Sequence, residues 1–187
     1  MKRIMMLILM LAALSGCSEK KQESSPPPAL GGALLPPQPN LPREELVKKV
    51  VERYTELLAA GYQNLNMNPL QEVATPALAE KAYVHMAAIG EGKVRMVSRL
   101  KKIDYVQLRF PGEEKAEVRT HEIWDFAYTD IKTGKANEEE KDFPYDVTYT
   151  LEKKEGRWLI TDLVASSERD ARENMKKQPA PGQGGHQ

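Results

Sequence analysis

The chain has 187 residues, 41% hydrophobic and 29% charged, and its 27 basic and 27 acidic side chains cancel at neutral pH. Such a length and mixture fit one globular domain with polar extensions. The even balance, with no basic run interleaved with aromatics, excludes nucleic acid as an expected partner, and the single cysteine excludes an internal disulfide framework.

Residues 1–17 read MKRIMMLILMLAALSGC. Lys2 and Arg3 supply a positive start, and Ile4 to Leu14 an apolar run of signal-peptide length, short of the roughly 20 apolar residues that span a bilayer. Leu14-Ser15-Gly16-Cys17 resembles the lipobox of bacterial lipoproteins. That resemblance implies that the Cys17 sulfur receives diacylglycerol, that residues 1–16 are removed as a signal peptide, and that the new amino terminus is acylated. Three chains would hold firmly, since two already make attachment stable. The alternative is a plain signal peptide, or a short N-terminal membrane helix, with Cys17 incidental. Ser18 follows the cysteine in place of the Asp that resembles an inner-membrane retention signal. The expected location is therefore the cell envelope, outer membrane facing the periplasm favoured over inner membrane.

Residues 17–42 comprise Cys17 and a tether whose seven prolines, paired glycines and serines resist packing. Residues 168–187 form a polar tail, rich in Pro and Gly at its end and expected to be disordered there, with His186 solvated. The expected domain lies between them, at 43–167.

Pro42 suits the first position of a helix, and Glu44 and Glu45 its positive end. Leu46, Val47, Val50, Val51, Tyr54, Leu57 and Leu58 recur at helical spacing, and Gly61 marks an expected stop. A short turn holds Leu70 and Val73. Thr75-Pro76 reads as an N-cap followed by proline at the first helical position. Leu78, Ala79, Ala82, Tyr83, Met86 and Ile89 give a second apolar face, with Gly90 as its stop.

Beyond Gly92 the period falls to two. Val97 to Phe110 is an expected strand in which Val106, Leu108 and Phe110 alternate, and Pro111-Gly112 turns the chain. In Lys115 to Tyr128 the residues Ala116, Val118, Thr120, Trp124, Phe126 and Tyr128 share one face, while Glu117, Arg119, His121 and Asp125 take the other. Asp130 to Lys141 reads as a polar loop around Thr133-Gly134. Tyr145, Val147, Tyr149 and Leu151 form a third strand face. Glu155-Gly156 turns into a fourth strand with Trp158, Ile160 and Val164 on one side. Short turns imply antiparallel pairing. Helices followed by a meander imply an α+β domain, N-terminal helices packed on a curved antiparallel sheet.

The run VRTHEIWDFAYTD, followed by YDVTYTLEKKEGRWLITDL, resembles the intermembrane-space domain of plastid-division proteins and their bacterial relatives, and the wider NTF2-like, SnoaL-like superfamily with its cystatin-like cone. Tyr54 and the Ala-rich stretch near Tyr83 fall where that family has its helices. The resemblance covers roughly residues 43–165 and is strongest at the hairpin Glu155-Gly156-Arg157-Trp158. It implies a concave face that holds a short segment of a partner protein. The chain departs from the plastid proteins in its lack of a J-like region and of a membrane helix. No partner-contacting residue can be matched individually, so none is carried over.

Enzymes of the superfamily place a general base in the cone with a polar group opposite. Glu122, on the face of Trp124 and Tyr128 and within reach of Tyr145 and Tyr149, is the candidate, since a carboxyl desolvated among aromatics gains basicity. The plainer reading makes it a hydrogen-bonded strand residue or one turned to solvent by a bulge. His85 and His121 lack a second ligand at metal spacing, no phosphate-binding loop or nucleophile elbow is present, and no metal or other cofactor is expected. Glu138 to Lys141 reads as solvated.

The leading expectation is a membrane-anchored, non-enzymatic lipoprotein. Its cavity, lined by Glu122, Trp124, Tyr128, Tyr145, Tyr149 and Trp158, binds a partner segment or a hydrophobic small molecule. The alternative is an exported SnoaL-like isomerase or hydrolase that uses Glu122. A filled cone would leave a scaffold role, with a homodimer formed through the sheet's outer face.

Overall fold

The computed structural model describes residues 38–167. The signal segment, Cys17, most of the tether and the C-terminal tail lie outside the described residues. Among the described residues the order is helix α1 (Arg43–Asn64), a one-turn helix (Asn68–Glu72), helix α2 (Pro76–Glu91), then strands β1 (Val94–Gly112), β2 (Lys115–Asp130), β3 (Ala136–Lys154) and β4 (Arg157–Ser166). The strands form one antiparallel sheet in the order β1-β2-β3-β4, with the helices on one face. This is the expected α+β arrangement. No described helix is long and apolar enough to cross a membrane.

α1 buries Val47, Val50, Val51, Tyr54 and Leu57, the face its spacing predicts. It runs one turn past Gly61, because that glycine serves packing: a Cβ there would collide with the Met67 sulfur. The stop is Leu65, left-handed at φ 55°. Arg53 grips both carboxylate oxygens of Glu72 at 3.0 Å and so ties α1 to the turn that follows. α2 begins with Thr75 as N-cap and Pro76 at the first position, as the sequence implies, and buries Leu78, Ala79, Ala82 and Met86. Tyr83 departs from that expectation and is exposed. The buried strip runs narrowly along positions 78, 82 and 86, and Tyr83 falls beside it.

The strands match the expected set but depart from it in their bounds and at two bulges. β3 begins at Ala136, so the polar stretch through Lys141 is strand and not loop: Ala136 to Glu140 pair with Thr129 to Phe126. The connection is reduced to a turn in which Asp130 accepts bonds from the backbone of Lys132 and Thr133. Its charged side chains are compatible with a strand because this end of the ladder faces water. Val106 falls where the β1 register slips between Tyr105 and Gln107. It leaves the line of Leu108 and Phe110 and is 62% exposed. Val164 is likewise 64% exposed. A register shift between Thr150/Asp162 and Leu151/Ile160 leaves Thr161 unpaired, and every side chain beyond it changes face. Leu163, not Val164, therefore follows Trp158 and Ile160 inward.

Hairpin turns are tight. Glu113-Glu114, not Pro111-Gly112, turns β1 into β2, since Gly112 already pairs with Lys115. Glu155 and Gly156 both have positive φ, 49° and 80°, as a two-residue hairpin turn requires. The core lies between the helices and the inner face, with Val47, Val51, Leu70, Val118, Leu151 and Ile160 almost wholly excluded from water. Full burial of such side chains contributes roughly 1.5–3 kcal/mol each.

One end of this layer is closed. Trp158 packs edge-on to Phe110, centroids 6.4 Å apart, and the Arg43 guanidinium stands 3.7 Å from the Phe110 centroid. The Gln38 side-chain amide donates to the Trp158 carbonyl at 2.8 Å and accepts from its N–H at 2.9 Å.

Candidate functional site

The other end is open. α1, α2 and the inner face diverge there around a cavity of about 470 Å³. α1 presents Tyr54, Thr55, Leu58 and Tyr62, and α2 presents His85. From β1 come Met96 and Ser98, and from β2 Glu122, Trp124, Phe126 and Tyr128. β3 adds Glu140, Phe143, Tyr145, Val147 and Tyr149, and β4 adds Leu163 and Ala165.

The pleat explains the grouping. Thr120, Glu122 and Trp124 alternate along β2, so all three project to the inner face, and Tyr145 lies directly across from Glu122. Glu122 is only 2% exposed. Its Oε1 accepts from the Thr120 hydroxyl at 2.7 Å and the Tyr149 hydroxyl at 2.8 Å, and its Oε2 from the Trp124 indole N–H at 2.8 Å. Three charge-assisted bonds replace the hydration that burial removes. Trp124 and Phe126 stack at 6.1 Å, and Phe143 and Tyr145 lie 4.8 Å apart, so the β2 and β3 wall is continuous aromatic surface.

On the helical side Tyr54 meets Tyr149 edge-on at 6.1 Å, and the Tyr62 hydroxyl lies 2.5 Å from His85 Nδ1. Burial pushes the Tyr62 phenol up to about 12, with Tyr128 and Tyr145 adding to it. Burial first, and the Glu122 charge second, hold the Tyr149 phenol well above its usual range. Tyr54 is raised too, by burial and then by Tyr62 and Glu122. At the mouth Tyr128 is raised by burial and then by Glu138 and Glu140.

Five of the six expected cavity residues thus come together: Glu122, Trp124, Tyr128, Tyr145 and Tyr149. Trp158 does not join them. It stands at the closed end, because β4 enters the sheet there, and is buried against Phe110. His121 points outward as expected, 2.9 Å from Asp146. His85, read only as mid-helix, is a cavity residue. Tyr62, Phe143 and Leu163 were hidden by the early helix stop, the supposed loop and the bulge at Thr161. Tyr62 continues the spacing of Tyr54 and Leu58, and Phe143 the alternation of Tyr145 and Val147, so both were legible past the expected helix stop and strand start, whereas Leu163 reaches the inner face only through the bulge. Among the described residues no three His, Cys, Asp or Glu side chains converge as a metal site.

Two helices over one face of an open four-stranded antiparallel sheet, with a cavity at one end, define an α+β domain. Among solved structures the chain is similar to the intermembrane space region of the chloroplast protein ARC6, at 12% identity over 69% of this chain and 99% of that one, TM-score 0.56. It is similar also to Aln2 from a Streptomyces species, at 12% identity over 72% and 98% of the two chains, TM-score 0.48. A domain with a cystatin-like fold from Nostoc punctiforme aligns at 10% identity over 73% and 87%, TM-score 0.38. No protein-family model and no curated protein matches the sequence. At such identities the likeness to the ARC6 region is one of fold.

Proposed function

We propose that the chain is an envelope lipoprotein, anchored through Cys17, whose cone-shaped domain is a non-catalytic receptor for a hydrophobic small molecule. The observation that carries the reading is the aromatic cavity. Its volume of about 470 Å³ falls within the roughly 300–1,000 Å³ of small-molecule sites, and its walls come from elements that the core holds rigid. Enclosure by both layers suits a compact ligand better than an extended segment. Of the sheet's two edges, that of β4 is partly taken, since Ile160 exchanges backbone bonds with Val73 and Thr75. The anchor rests on the sequence from Met1 to Cys17 alone, and the outer membrane facing the periplasm is its proposed site.

The test uses N-phenyl-1-naphthylamine, a neutral dye that brightens in apolar surroundings. Saturable brightening with the wild-type protein, lost in Ser98→Phe, which fills the cavity, is the expected result. Brightening that survives the blocked cavity, or none at all, would contradict the reading.

A second reading, a SnoaL-like isomerase or hydrolase, has one observation in its favour: Glu122 is buried, yet it lines an open cavity. Against it, three of the roughly four lone-pair positions of a carboxylate are filled by the protein's own donors. Glu122-dependent exchange of solvent deuterium into an enolisable ketone would favour the enzyme, and its absence the receptor.

A further inference from the structure

The cavity wall is aromatic and its buried charge is negative, with nothing beside it of opposite sign. Glu122 is nearly inaccessible to water, and all three of its donors are neutral: a hydroxyl, a phenol and an indole. Among the described residues it forms no ion pair, and no Lys or Arg lines the cavity. The other ionisable carboxylate there is Glu140, and the one side chain able to carry positive charge is His85. Buried charges are ordinarily matched by a counter-charge. Hydrogen bonds from neutral donors solvate a carboxylate but leave its net charge in place. Aromatic faces add negative potential of their own, the property by which aromatic cages hold ammonium groups.

From this juxtaposition of an uncompensated buried carboxylate and an aromatic wall, we infer that the cavity takes an organic cation: an ammonium group on an apolar body, the charge directed to Glu122 and the body to Trp124, Phe126 and Tyr145. The inference rests on the receptor reading and specifies its ligand. It excludes fatty acids and other apolar anions, which the same field repels. Burial also protects the attraction from salt, because pairs removed from solvent are screened much less than exposed ones.

The experiment is competition against N-phenyl-1-naphthylamine with three ligands of equal length and body: 4-phenylbutylammonium, 4-phenylbutanol and 4-phenylbutanoate. The ammonium should displace the dye at concentrations roughly tenfold below the alcohol, the size of a desolvated cation–π and charge contact, and the carboxylate should be weakest. Glu122→Gln should bring ammonium and alcohol together. Should that variant fail to fold, the wild-type series still decides the sign of the preferred charge. Equal displacement by ammonium and alcohol would overturn the inference and leave the receptor reading intact. Preference for the carboxylate, or an ammonium preference undiminished in folded Glu122→Gln, would overturn it as well. If the dye itself does not bind the wild-type cavity, the receptor reading and the inference fall together.

Discussion

Glu122 shows how alternation and chemistry meet in one residue. The period of two in β2 placed it on the face of Trp124 and Tyr128, so its burial was legible. Tyr149 was expected within reach as well, whereas Thr120 and Trp124 were read only as sharing its face. Tyr149 pairs with Val118 across the ladder and reaches Glu122 diagonally, a contact decided by side-chain length and not by register. Tyr149→Phe would leave Oε1 with the Thr120 hydroxyl alone. Removal of one donor from a buried carboxylate costs about 1–3 kcal/mol, so the urea midpoint should fall correspondingly. An unchanged midpoint would mean that the phenol contributes nothing there. The buried phenols also set the alkaline limit. Tyr62 titrates near 10.0 when unfolded and is pushed up to about 12 when folded, so between these values the unfolded chain binds fewer protons. Stability is then fully present below pH 10 and falls as pH rises through that window. Tyr54 and Tyr149 are shifted the same way and steepen the fall. Urea midpoints measured at pH 8 and pH 11 check this, and equal values would refute it.

Among the elements, α1 and α2 were readable because apolar spacing, Thr75-Pro76 and the acidic first turn of α1 agree with one another. The sheet was readable wherever alternation was unbroken, as from Ala116 to Trp124 and from Tyr145 to Leu151. It failed at bulges, since an extra residue carries no signature of its own and inverts all that follows. Beyond Thr161 the inversion makes a sharp prediction. Val164→Thr, on the exposed side, should change stability by less than about 0.5 kcal/mol. Leu163→Thr, on the half-buried inner side, should cost about 1–2 kcal/mol. The reverse order in chemical denaturation would place Val164 inside. The turn at Gly156 was legible from its dipeptide. At φ 80° a β-branched side chain is strained, so Gly156→Val should lose about 1–2 kcal/mol, a few degrees in Tm. Lys154 pairs with Arg157 and Lys153 with Trp158 across the two strands that this turn joins.

As proposed, the whole molecule joins two parts that obey different physics: a cysteine acylated for partition into lipid, and a domain that encloses an apolar site. Cys17→Ser should block lipid attachment and release the protein from membranes, or halt its processing. Retention and processing unchanged from wild type would count against the anchor. The receptor stands or falls on the cavity, and the protein carries its own reporter and control. Trp124 stands in the cavity wall with its indole N–H on Glu122. Trp158, the second of two tryptophans, is buried at the closed end. The most direct measurement is a titration with N-phenyl-1-naphthylamine followed by NMR at the two indole N–H resonances. Occupation of the cavity should move the Trp124 signal in saturable fashion and leave the Trp158 signal in place. Equal movement of both, movement of Trp158 alone, or no movement of Trp124 at saturation would contradict it.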